Sequence, residues 1–262
     1  MLQEEGGIVL YVPIADAPEA LRQLTAYDEE EARRISRRTP RGRFVSAKPE
    51  GPLIFTAVMT GFFAVSEASA WGLDWIGRGA AQAGAIMHGD WWRPVTALFL
   101  HGDASHLMGN LGMGIVVGLL LAQLLGSGVA WLAILIAGIA GNALNAALQP
   151  ALHTSIGAST AVFGGIGLLA GFTQISATAP WHNGVRRWAP VGAGLGLLIL
   201  MGTAGEKTDV WAHVTGFVTG GLMGLGFGRL GDRVAASGRF QALAGLAVFA
   251  IIAASWVAAL RT

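Results

Sequence analysis

The chain contains no cysteine. That absence excludes a disulfide framework, a thiolate nucleophile and a thiolate metal site. Charge is also scarce. Only 13% of the 262 residues are Asp, Glu, Lys or Arg, against about 25% in a soluble domain. The formal net charge is +1, so the average points to no nucleic-acid partner. No short basic start followed by an apolar run opens the chain, so no secretory signal peptide is expected. On that ground the expected compartment is a bacterial-type inner membrane.

What the chain does have is apolar length and glycine. Hydrophobic residues make up 53% and glycine accounts for 39 positions, with a mean hydropathy of +0.55. Seven apolar segments stand at 53–73, 104–125, 129–149, 157–175, 187–204, 208–228 and 239–260. Each is near the ~20 residues that span hydrocarbon. Period-two alternation is absent and the runs are too long for strands. The fold class expected is therefore an all-α polytopic membrane protein with seven spans.

Residues 1–50 are polar and hold 8 of the 17 Lys and Arg residues. Within them GIVLYVPI suits a short strand. Asp16 and Glu19 have capping-box spacing ahead of a helix through PEALRQLTAYDEEEARRISRR. RRTPRGRFVSAKPEGP reads as a basic linker. With the N-terminus cytoplasmic, 13 of the 17 basic residues fall on the inner side and 4 on the outer. The positive-inside rule favours that orientation. Loop 74–103, with Trp75, Trp91 and Trp92, suits an element lying at the interface.

In this orientation the second, fourth and sixth segments enter from the outside. The second carries His106 and Asn110, one turn apart on one face. The fourth carries Ser159 in its first turn, and the sixth carries His213 in its first two turns. The third brings Asn142 and Asn145 to the same end. All lie within roughly 10 Å of the outer boundary. Polar groups in hydrocarbon are costly and tend to face a partner or a wet cavity. A serine and a histidine at one depth suit nucleophile and base, and Asn110 and His106 suit oxyanion donors. Ser159 at a helix start adds free N–H groups and the positive dipole end.

Gly216, Gly220, Gly224 and Gly228 repeat every four residues, a small-residue face for close helix packing. Close approach of the fourth and sixth segments would bring Ser159 and His213 into hydrogen-bond range. Phe163, one turn below Ser159, could pack on the imidazole. Each residue also has a plainer reading. Ser159 could bond back to a carbonyl, and His213 could make an interhelical hydrogen bond. His106 and Asn110 could tie the first loop to its helix. Asn142 and Asn145 are assigned to helix packing, His101 and His153 to loop order, and Arg93 to a headgroup anchor; Asp209, one turn before His213, could orient that histidine but is assigned to a solvated loop carboxylate. A zinc site from His101, His106, His153 and His213 lacks any HExxH-like spacing.

Four stretches together resemble the rhomboid family of intramembrane serine proteases. They are WWRPVTALFLHGDASHLMGNLGMG (91–114), GNALNAALQP (141–150), SIGASTAVFGG (155–165) and WAHVTGFVTGG (211–221). The resemblance implies a six-helix catalytic core at 51–228, a cytoplasmic region with a short helix at 1–50, and a loop plus additional transmembrane helix at 229–262. It implies Ser159 as nucleophile and His213 as general base, with no acidic third member. His106, Asn110 and the Ser159 backbone N–H take the oxyanion role. Phe163, Gly157, Gly216, Trp92 and Arg93 take supporting roles. Thr160 follows Ser159 where many members have glycine. The expected partners are membrane lipid and single-pass transmembrane proteins cut in or near their spanning segment; no metal or other cofactor is required. An inactive rhomboid-like protein that binds or escorts membrane clients is the alternative. A channel is disfavoured, because the inner halves of the second, fourth and sixth segments are almost wholly apolar.

Overall fold

Apolar runs of this length form helices because every backbone polar group is then paired within its own segment. The structure, a computed structural model, describes residues 11–37, 49–176, 184–202, 209–230 and 237–261. The chain divides into two units, Met1–Arg41 and Gly42–Thr262.

The first unit is built on α1 (Ala17–Arg37), preceded by a 3-10 turn at Ile14–Asp16. Asp16 sits inside that turn. The Glu19 carboxylate pairs with Arg22 and accepts from Gln23 Nε2 at 3.1 Å, so it does not reach back to form a capping box. Of the expected strand, residues 7–10 lie outside the described residues and Tyr11–Pro13 have no regular structure. Most of the basic linker also lies outside them.

The second unit begins with α2 (Glu50–Glu67). This helix stops earlier than the apolar composition suggests, because Ser69 and Trp71 adopt left-handed backbone with φ of 43° and 60°. The first loop is a run of short elements: α3 (Trp75–Gly79), β1 (Ala81–Gln82), α4 (Ala83–Met87), α5 (Arg93–Thr96) and a 3-10 turn at Ala97–Phe99. Then come α6 (Ala104–Leu125) and α7 (Ser127–Leu148), joined at Gly126 with φ 80°. A short strand, β2 (Thr154–Ser155), pairs antiparallel with β1, Ala81 opposite Ser155 and Gln82 opposite Thr154. The last helices are α8 (Ser159–Ile175), α9 (Ala189–Gly202), α10 (Val210–Leu230) and α11 (Gly238–Arg261).

Among the described residues four helices, α6, α7, α10 and α11, are long and apolar enough to cross a membrane, and α8 is a shorter apolar helix. Large apolar side chains face outward along them, among them Val116, Leu222, Leu243 and Leu246. In water such a surface would be a liability; in lipid it is the solvated face. The protein is an all-α, multi-pass integral membrane protein.

The centre of the unit is α8, buried continuously from Thr160 to Thr173. It can be buried on all sides because small residues let its neighbours approach. A Cβ on Gly216 would strike the Thr160 carbonyl, one on Gly220 the Gly164 carbonyl, and one on Gly224 the Leu168 carbonyl. At Gly228 the nearest atoms belong to Ile175 and Phe172. The reverse contacts hold too, Gly167 meeting the Phe217 carbonyl and Gly171 the Gly221 carbonyl. The contacts advance together along both helices, so α8 and α10 run parallel in a fixed four-residue register. Their N-termini therefore lie at the same end. On the third side, Gly141 of α7 abuts Thr160 and Gly216, and Thr219 Oγ1 donates to the Ala137 carbonyl at 2.9 Å.

The seventh apolar helix, α11, packs closely on the others. Trp256 stacks on Phe62 with centroids 5.0 Å apart and meets Trp75 at 5.1 Å. Gln241 joins the α6–α7 turn, donating to the Leu125 carbonyl at 2.8 Å and accepting from the Val129 N–H at 3.0 Å. The interfacial role expected for the loop tryptophans fits only Trp91, which is exposed; Trp75 and Trp92 are buried in protein.

Candidate active site

The chain leading into α8 is held in an unusual conformation. Gly157 has φ +122°, a region open to glycine and strained for other residues. Its N–H donates to the Ala97 carbonyl at 2.9 Å. A Cβ at this position would lie 2.7 Å from Cε1 and Nε2 of His106 and 3.6 Å from Nδ2 of Asn110. The edges of both side chains therefore converge on the backbone two residues before Ser159. Asn110 is buried and its Nδ2 has no hydrogen-bond partner. Such a free buried donor is costly unless something occupies the space beside it.

His106 and Asn110 are aimed by the start of α6. Asp103 caps that helix, its Oδ1 accepting from the His106 N–H at 2.8 Å and from Ser105 Oγ at 2.6 Å. The Ser105 hydroxyl, followed by the His106 backbone, holds the Asp103 carboxyl below its ordinary value. The D-A-S-H stretch carries an N-cap signature legible in the sequence. Behind it, His101 meets His106 edge-on at 5.0 Å. Burial, then the neighbouring His106, pushes the His101 imidazole down to about 4, so it is neutral at neutral pH.

Ser159 is the first residue of α8 and is half-buried. No side chain caps this helix, and its first N–H to reach an intrahelical acceptor is that of Val162, which bonds to the Ala158 carbonyl at 3.0 Å. The N–H groups before it are free of the helix ladder and lie at its positive end.

His213 is buried at the start of α10. Its ring lies flat on Phe163, with centroids 4.4 Å apart and planes 17° apart. Its Nδ1 is buried without a hydrogen-bond partner. No hydrogen bond joins Ser159 and His213 among the described residues. What the two helices share at this end is Gly216 against the Thr160 backbone and the Phe163 ring against His213.

Asp209 has a different place from the solvated loop expected of it. Its side chain is only 15% exposed. Oδ1 accepts from the Ala212 N–H at 3.0 Å, capping α10. Oδ2 accepts from Asn145 Nδ2 at 2.8 Å and lies 2.7 Å from His153 Nε2. Burial works to raise the Asp209 carboxyl, but the Ala212 N–H, His153 and the Ser155 hydroxyl outweigh it and hold the group below its ordinary value. Asn145 thus serves a contact to the residue that caps α10 rather than simple helix packing. Asn142 likewise reaches out of its helix, donating to the Pro94 carbonyl at 2.9 Å.

Trp92 and Arg93 belong to the first loop. Arg93 is not a headgroup anchor. Its side chain is 13% exposed and pairs with Asp90 at 2.7 Å, and its Nη1 donates to the Gly77 and Ala80 carbonyls at 3.0 and 2.9 Å. Trp92 is buried beside Trp91, edge to face at 6.2 Å. These contacts order the loop that carries β1, the strand paired with β2 ahead of Ser159.

These elements place a half-buried serine at a helix N-terminus, a buried imidazole at the start of the neighbouring helix and an unpaired Asn110 amide beside Gly157. Chemically this suits attack on a carbonyl with stabilisation of the resulting oxyanion.

Comparison with known proteins agrees with this architecture. Over 142 residues the chain is 34% identical to Rhomboid-like protease 3 of Toxoplasma gondii, covering 54% of each chain. It is 32% identical over 136 residues to Rhomboid protease GluP of Bacillus subtilis, covering 51% of this chain and 26% of the relative. With RHOMBOID-like protein 7 of Arabidopsis thaliana it shares 33% identity over 151 residues, covering 56% and 46%. The chain thus spans about half the length, or less, of the curated relatives it matches. The Rhomboid domain family matches residues 88–230, more than half of the chain, and this protein belongs to the rhomboid family.

Proposed function

We propose that the protein is a serine-type intramembrane endopeptidase. Its substrates are transmembrane proteins, cut in or near the spanning segment by a Ser159–His213 dyad. The observation that carries this reading is the meeting of α8 and α10 at their N-termini, where His213 stacks on Phe163 beside Ser159. The names of two relatives, which describe proteases, support it.

In this reading α2, α8 and α9 join the four longer helices to make seven spans, with the N-terminus cytoplasmic. Residues 51–228 form the catalytic core, 1–50 an N-terminal region, and 229–262 a loop and added helix. Ser159 Oγ attacks the scissile carbonyl while His213 takes the hydroxyl proton. The carbonyl oxygen, now an anion, is met by Asn110 Nδ2, by His106 and by the Ser159 N–H. His213 then gives its proton to the leaving amine, and an acyl-enzyme on Ser159 remains. Water, deprotonated by His213, attacks that ester and regenerates the serine. No acid is assigned to His213, because the Asp209 carboxylate is engaged by Ala212, Asn145 and His153.

A helical substrate hides its carbonyls in i→i−4 bonds and must unwind to be cut. Gly or Pro near the cleavage point should speed the reaction. The test is cleavage of a single-pass protein co-reconstituted in liposomes. Loss of the product in Ser159→Ala and in His213→Ala is expected. Cleavage that persists in either folded variant contradicts the dyad. A wild type that binds the substrate without cutting it points instead to a client-binding protein.

A further inference from the structure

The catalytic reading needs two chain segments held in register: 153–159, which delivers the serine, and the start of α10, which delivers the histidine. The first is fixed to the loop side. The His153 carbonyl accepts from the Ala83 N–H at 2.9 Å, β2 pairs with β1, and Gly157 bonds to Ala97. None of these bonds reaches α10. The link to α10 runs through Asp209, whose Oδ2 lies 2.7 Å from His153 Nε2 and whose carboxylate also meets the Ser155 hydroxyl of the same segment. On its other side Asp209 caps α10 through Ala212, and its carbonyl accepts the His213 N–H at 3.3 Å. Asn145 of α7 holds the same carboxylate from a third element.

We propose that Asp209, acting through His153, is a positioning residue that sets the serine-bearing segment against the histidine-bearing helix. It touches neither reacting atom. It rests on the serine-protease reading above for its consequence, but the tether itself does not. With an oxygen acceptor at Asp209, His153 presents its Nε2–H, and the segment reaching Ser159 six residues later keeps its place. Without it, a partly buried imidazole, the Asn145 amide and the Ala212 N–H lose their shared acceptor together. The two helices then retain their glycine contacts but the loop is released.

The experiment is the inactivation kinetics of a fluorophosphonate on the full chain in detergent, resolving the maximal rate from the apparent affinity. It is run on wild type, Asp209→Ala, Asp209→Asn, His153→Ala and the Asp209→Ala/His153→Ala double variant. Amide hydrogen exchange over 153–158 is followed in parallel. Each alanine variant should lower the maximal rate roughly ten- to hundredfold, as small misplacements do, with apparent affinity nearly unchanged. The double variant should be no slower than the slower single one. Asp209→Asn keeps one oxygen, enough for the Ala212 N–H but not at once for His153 and Asn145, and should recover only part of the loss. Effects that multiply in the double variant, or an Asp209→Ala rate equal to wild type, overturn the proposal. Should wild type itself fail to react, the serine reading falls on its own. Exchange then decides the tether: faster exchange over 153–158 in Asp209→Ala supports it, and unchanged exchange overturns it.

Discussion

The Phe163 ring lies on the His213 imidazole at 4.4 Å and nearly parallel, at 17°. The two residues come from α8 and α10, and the contact sits one turn below Ser159. An aromatic face in that position limits the rotamers of the histidine. Phe163→Leu keeps most of the volume and removes the flat face. It should cost about 1 kcal/mol of the stacking contact, read as a several-fold lower labelling rate by a serine-reactive probe with folding retained.

Gly220 meets the Gly164 carbonyl so closely that a methyl group cannot fit. Gly220→Ala must push α8 and α10 apart, at about 1–3 kcal/mol for overpacking. Gly226 lies on the same helix with open space around it. Gly226→Ala should be neutral, or stabilising by up to about 1 kcal/mol from helix propensity. Thermal unfolding of the pair in detergent checks the register directly, since equal effects would place the interface elsewhere.

Gly157→Ala carries two penalties. Its φ of +122° disfavours a side chain, at about 1–3 kcal/mol, and the new methyl would displace the His106 ring. The prediction is a labelling rate that falls further than stability does. Wild-type reactivity in this variant would remove His106 from the oxyanion role.

Much of this is legible in the chain alone. The bounds of α6, 104–125, coincide with its apolar run, because Asp103 caps one end and Gly126 closes the other. The four-residue glycine spacing announced the α8–α10 contact, since that spacing is one face of a helix. Other features were hidden. The early end of α2 depends on left-handed backbone at Ser69 and Trp71, in a stretch without proline. The partners of Asp209 lie 56 and 64 residues away in the chain, beyond what local spacing reports. A carboxylate beside polar neighbours therefore looked solvated, and Asn145 and His153 looked like separate structural residues.

The Asp209 network also gives a pH signature. Its carboxyl is held below the ordinary value of 3.8 by the donors around it. A group so depressed contributes stability above its unfolded pKa and loses it as pH falls through the folded one. The stability gap between wild type and Asp209→Asn should be widest near neutral pH and close below roughly pH 4. Unfolding temperatures of both proteins across that range measure it; a gap that grows on acidification would contradict the assignment.

The central claim is that Ser159 is a nucleophile activated by His213. The direct measurement is mass-spectrometric mapping of the fluorophosphonate adduct on the full chain in detergent. Wild type, Ser159→Ala and His213→Ala are compared, each checked for folding. The account predicts an adduct on Ser159 in wild type and none in either variant. An adduct on another serine, or undiminished labelling in His213→Ala, would contradict it.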